Sequence, residues 1–162
     1  MTQTTVRAYC EDDLQRLCEI AVEAWREYFE MLQQRMGADL FEAAVGDWAA
    51  EKTRQIQEFC RDHPDWCLVT EQNSSVAGFI TYRLDTDKSL GVIGNNAVAP
   101  SCQGEGLGTE LYSRVLQIFR DEGLAFAKVT TGMDPFHARA RRAYEKVGFR
   151  AMTPMVDYYR EL

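Results

Sequence analysis

Residues 91–109, GVIGNNAVAPSCQGEGLGT, constrain the fold more than any other stretch of this chain. The apolar segment 92–98 reads as a strand and stops at Ala99-Pro100. A glycine-rich loop follows, Gln103-Gly104-Glu105-Gly106-Leu107-Gly108, and runs straight into an amphipathic helix. That helix carries Leu107, Leu111, Tyr112, Val115, Ile118 and Phe119 as its apolar stripe, and Gly123 closes it. Glycine lets a backbone come close to a ligand, and the amides that start a helix attract anions. Strand, amide-lined loop and helix start together point to a phosphate-bearing cofactor.

Two common phosphate motifs do not fit. A P-loop ends Gly-Lys-Ser/Thr, whereas this loop ends Gly108-Thr109-Glu110. A dinucleotide fingerprint needs Gly-x-Gly-x-x-Gly, whereas the glycines stand at 104, 106 and 108. The pattern that does fit is Gln/Arg-x-x-Gly-x-Gly, met by Gln103, Gly106 and Gly108. A second block, residues 134–149, reads DPFHARARRAYEKVGF. With these two blocks, in this order, the chain resembles the GNAT superfamily of acetyl-coenzyme A-dependent N-acetyltransferases. Members of that superfamily carry Asn-x-x-Ala-x-x-x-Tyr-x-Lys-x-Gly-Phe; Ala140, Tyr144, Lys146, Gly148 and Phe149 match it, and His137 replaces the Asn. The close resemblance covers roughly residues 91–149, and the first ninety residues agree only in layout.

The resemblance implies an α/β (α+β) GNAT fold, a mixed and mostly antiparallel sheet covered by helices on both faces, and acetyl-CoA as cosubstrate. It implies that Gln103, Gly104, Glu105, Gly106, Leu107, Gly108 and Thr109 ring the pyrophosphate. It also implies that the backbone amide of Val98 polarises the thioester carbonyl, and that Tyr144 is the general acid for the departing thiolate. His137 stands where the family's Asn contacts the cofactor, and a proton-accepting role is the alternative. Glu105 is awkward, since its carboxylate repels phosphate unless it faces solvent. Arg139, Arg141, Arg142 and Lys146 could offset it from the later helix. No Asp, Glu or His lies within 90–100, so a strand-borne general base is not expected. Water held by Asn95 or Asn96 is the simpler device, with Glu71, Asp134 and His137 as remote candidates. Trp25, Tyr28, Phe29, Glu30 and Tyr82 are candidate walls for the amine acceptor.

The expected activity is transfer of an acetyl group to a primary amine of a small molecule or peptide by direct attack. The alternative is a silent GNAT-fold module that binds coenzyme A without turnover. At 162 residues, 1–162 is read as a single domain with a full core. The formal charge of −7 argues against nucleic acid and is compatible with a cationic amine substrate. Five cysteines without Cys-x-x-Cys and only two histidines indicate neither a disulfide framework nor a metal. No run approaches the ~20 apolar residues of a membrane span, and the polar start MTQTTVRAYCEDD is no signal peptide, so no membrane association and a cytoplasmic location are expected. A homodimer is left open.

Along the chain, 5–9 reads as a first strand, followed by a helix from near Glu11 whose apolar face runs from Leu14 to Leu32 and which Gly37 interrupts. A second helix spans about 39–61, stopped by His63-Pro64. Segments 67–71, 76–84, 92–98 and 126–131 read as further strands, and Gly148-Phe149 leads into a last one.

Overall fold

The computed structural model describes residues 3–160. Its sheet has the order β1 (Thr4–Ala8), β2 (Cys67–Gln72), β3 (Ser75–Asp85), β4 (Leu90–Val98) and β5 (Phe126–Val129). The first four strands pair antiparallel, and β5 joins β4 in parallel after a helical crossover. The hairpin β2–β3 turns at Asn73 and Ser74, both at positive φ (50° and 65°), a conformation that short polar residues tolerate best.

Alternation along β3 explains the two-faced core. Phe79 packs with Leu17, Ile20, Ile56, Cys60 and Val69 under α1 (Leu14–Met36) and α3 (Trp48–Asp62). Its neighbours Ile80 and Tyr82 face the other way, onto Ile93, Leu111, Val115 and Phe119 beneath α4 (Leu107–Asp121) and α5 (Ala138–Lys146). Each such side chain taken fully from water contributes about 1.5–3 kcal/mol, so both helix layers are anchored by burial. Gly91 sits where a Cβ would lie 2.3 Å from the Phe119 ring, so only glycine lets α4 seat on β4.

The helix expected over 39–61 is two helices. α2 (Ala38–Ala44) ends before Gly46, whose φ is +59°, and Asp47 restarts the chain by accepting the Ala50 amide at 3.0 Å. The Gly-Asp pair is thus a stop followed by a cap. The last strand is also absent among the described residues: 150–160 form no regular element and stay exposed. Pro154 in their middle has no N–H to give to a ladder. β5 stops at Val129, two residues short of the expected Thr131.

Candidate functional site

β4 and β5 pair only from Leu90↔Phe126 to Ile93↔Val129. Beyond that point β4 continues through Val98 while β5 has ended, so this edge of β4 is left unpaired. A bulge sits at the same point of β4. Ile80 faces Asn96 and Tyr82 faces Ile93, leaving Gly94 and Asn95 opposite Thr81 alone. The buried Thr81 hydroxyl donates to Asn95 O at 3.1 Å, and a Cβ on Gly94 would lie 2.8 Å from that same hydroxyl. Glycine at 94 is the local sequence signal for the bulge.

Past the bulge, Ala99 N donates to Ala77 O at 2.8 Å. In an antiparallel ladder bonded and non-bonded pairs alternate. The Gly78↔Val98 and Ile80↔Asn96 pairs are therefore non-bonded, and the Val98 and Asn96 amides face the gap left by β5. The Val98 carbonyl on that side is already taken, accepting from Gln103 Nε2 at 3.0 Å. Arg139 Nη1 in turn donates to Gln103 Oε1.

The glycine loop closes one end of this gap. Gly104 (φ +91°) and Gly106 (φ +88°) are left-handed, and nothing stands within 4 Å of where their side chains would be. Among the described residues, the amides of 104–109 donate to no backbone or side-chain acceptor; the first satisfied one is Glu110 N, to Gly106 O at 3.0 Å. A row of free donors at the start of α4 is a cradle for phosphate oxygens. Glu105 does not obstruct it. It is exposed, its carboxylate accepts from Gln72 Nε2, and it lies outside the cleft lining.

The resulting cleft encloses about 1050 Å³ between β4, the loop, α4, α5, the middle of α1 and the start of α3. Tyr144 and Tyr112 reach into it from α5 and α4, ring centroids 4.8 Å apart, and both hydroxyls point to Asn96 Oδ1, at 3.4 and 2.8 Å. Burial pushes the Tyr144 phenol above its ordinary value, against the opposing pull of its hydrogen bonds to Asn96 and Tyr112. It therefore holds its proton at neutral pH.

His137 occupies the N-cap position of α5, with no capping hydrogen bond from its side chain. Its Nδ1 lies 2.6 Å from Asp134 Oδ2, its own amide donates to Asp134 Oδ1 at 3.1 Å, and the Tyr28 ring packs edge-on at 4.9 Å. Burial works to raise the Asp134 carboxyl, but the His137 contacts outweigh it and the net shift is downward. Gly132 makes room for the pair, since a Cβ there would fall 2.3 Å from Asp134 Oδ2.

The remaining expected residues divide. Trp25 lines the cleft, with Lys52 Nζ above its ring at 4.5 Å from the centroid. Tyr28 stands behind His137, outside the lining. Phe29 stacks on Trp48 at 4.5 Å and also lies outside. Tyr82 is a correction: it is 4% exposed, donates its hydroxyl to Asp65 O at 3.1 Å and packs on Phe119, so it belongs to the core. Glu30 is exposed and outside the lining, and Glu71 is held by Arg7 at 2.8 Å, remote from the cleft. Of the four basic residues on α5, Arg139, Arg142 and Lys146 face the cleft. Arg141 instead ties the preceding loop, donating to Gly132 O and Asp134 O at 2.6 and 2.8 Å.

A family model, Acetyltransferase (GNAT) family, matches residues 14–149. The chain belongs to that family. The GNAT chain is 29% identical over 136 residues to a mycothiol acetyltransferase of Segniliparus rotundus, an alignment covering 81% of this chain and 51% of that protein. It thus spans about half the length of this curated relative. Its fold is shared with the PaiA N-acetyltransferase of Thermoplasma acidophilum solved with coenzyme A (TM-score 0.72, 16% identity, 93% of this chain and 91% of that one). It is shared too with a GNAT family acetyltransferase of Brucella melitensis solved with acetyl-CoA (TM-score 0.63, 19% identity, 92% and 84% covered). Acetyl-CoA is the acetyl donor of GNAT enzymes, and the free amides of 104–109 suit its phosphates. Among the described residues no helix is long and apolar enough to cross a membrane, and no cluster of His, Cys, Asp or Glu could hold a metal ion.

Proposed function

We propose that this chain moves an acetyl group from acetyl-CoA to a primary amine of a small molecule or peptide by direct attack. The observation that carries the reading is the convergence, on the gap between β4 and β5, of free strand amides with a buried, protonated tyrosine. Acetyl-CoA supplies the thioester, and everything else is done by the chain. The 104–109 amides and the dipole of α4 hold the phosphates, with Arg139, Arg142 and Lys146 beside them. The Val98 and Asn96 amides donate to the thioester oxygen as charge develops there; one such donor is worth roughly 3 kcal/mol of barrier. Tyr144 gives its proton to the sulfur as the C–S bond breaks. The amine's proton passes to His137, whose Nδ1 is occupied by Asp134, leaving Nε2 as the acceptor, reached directly or through water.

Amine-dependent release of the coenzyme A thiol, measured across polyamines, amino acids, aminoglycosides and peptides, tests this reading. Release with at least one class is expected. Cofactor binding without release on any of them would make the chain a silent binding module instead.

A further inference from the structure

Among the described residues, Lys52 is the one cation lining the cleft that does not come from α5. It projects from α3 against Trp25 of α1, while Arg139, Arg142 and Lys146 all come from α5. Its Nζ donates to Asn95 Oδ1 at 3.3 Å, and no carboxylate lies within 4.0 Å of it among the described residues. The carboxylate next to it in sequence, Glu51, is engaged by Arg54 and Gln55 at 2.8 and 2.7 Å. Glu27 is the only carboxylate lining the cleft among the described residues, and it is exposed. An ammonium has three donor hydrogens, and this one has a single acceptor among the described residues. Burial pulls its pKa down, and the charge of Glu51 offsets only part of that penalty.

Asn95 sits on the β4 bulge beside Asn96, so Lys52 is placed at the acceptor end of the gap. With its oxygen committed to Lys52, the Asn95 amide nitrogen has no acceptor among the described residues. Lys52 and Asn95 therefore present a pair of donors beside the Trp25 ring, which matches the two oxygens of a carboxylate.

We propose that the amine acceptor carries a free carboxylate, as an amino acid or short peptide does, and that Lys52 with Asn95 binds it. The inference rests on the acetyl-transfer reading and specifies its substrate class. It runs against the expectation from overall charge, because a formal −7 chain would draw polycations while its cleft is locally positive.

The test compares α-amino acids and dipeptides with their own carboxamides as acceptors, in the wild type and in Lys52→Met and Lys52→Arg. The wild type should favour the carboxylate member in kcat/KM by roughly tenfold to a hundredfold. Lys52→Met should collapse that ratio towards one, and Lys52→Arg should keep part of it, both with acetyl-CoA affinity retained in calorimetry. Equal use of acid and carboxamide by the wild type, or an equal loss on both in Lys52→Met, overturns the proposal. Absence of turnover with every amine would overturn acetyl transfer itself. In that case the proposal is read from binding of the same amino acids to the coenzyme A-loaded protein: Lys52-dependent binding supports it, and none refutes it.

Discussion

Replacing Tyr144 by phenylalanine separates chemistry from packing. The ring is 6% exposed and packs on Tyr112 and Phe149 at centroid distances of 4.8 and 6.1 Å, contacts that phenylalanine keeps. Only the hydroxyl is lost, with its 3.4 Å approach to Asn96 Oδ1. That oxygen is not orphaned, because Tyr112 still donates to it at 2.8 Å. The stability change should therefore stay below about 1 kcal/mol. The amides that hold the cofactor belong to the loop and to β4, so acetyl-CoA affinity should change little. Turnover should fall by roughly 10²–10⁴-fold, or about 3–5 kcal/mol of barrier, the usual worth of a positioned proton donor. Thiol release measured where chemistry limits the rate, alongside calorimetric affinity, reads both quantities. Unchanged turnover would refute the reasoning and return Tyr144 to the core.

Three further outcomes are expected. His137→Asn should lower turnover by at least about tenfold while sparing acetyl-CoA affinity; a silent change would mean that His137 only contacts the cofactor or packs. Gly91→Ala should destabilise the fold by about 1–3 kcal/mol in denaturant titration, because the new methyl meets the buried Phe119 ring at 2.3 Å. Two Arg7 hydrogen bonds at 2.7 and 2.8 Å hold the Asp13 carboxyl down at about 2 from an ordinary 3.8, against the opposing effect of burial. A depressed carboxyl stabilises the fold above its unfolded pKa, so about 2 kcal/mol should be lost as pH falls from about 4 to about 2, and Arg7→Met should flatten that slope in denaturant midpoints.

The sheet, the loop and α4 were legible because each has a local cause: short apolar runs, glycines where φ is positive, and an apolar stripe of helical period. The residues that complete the cleft have none. Lys52 reads as an ordinary charged position of an amphipathic helix, and only the packing of α3 on α1 sets it over Trp25. Tyr112 reads as core, and its hydroxyl acquires meaning from Asn96 on another element. The bulge had a signal in Gly94, a glycine within a strand, but its consequence depends on Thr81 across the ladder. Tyr82 erred in the opposite direction, because an aromatic on a strand beside the site faces either side of the sheet with equal ease, and here it faces the core. The division of α2 from α3 is carried by Gly46-Asp47 alone, a helix stop followed by a cap set within a long run of helix formers.

Calorimetric titration tests most directly whether the free amides of 104–109 hold acetyl-CoA. One equivalent of acetyl-CoA should bind saturably to the wild type. Gly106→Val should abolish that binding while the protein stays folded, because it forces a branched side chain into φ +88° and into the open space before the amides. No detectable binding by the folded wild type at millimolar acetyl-CoA, or equal binding by Gly106→Val, would contradict the claim.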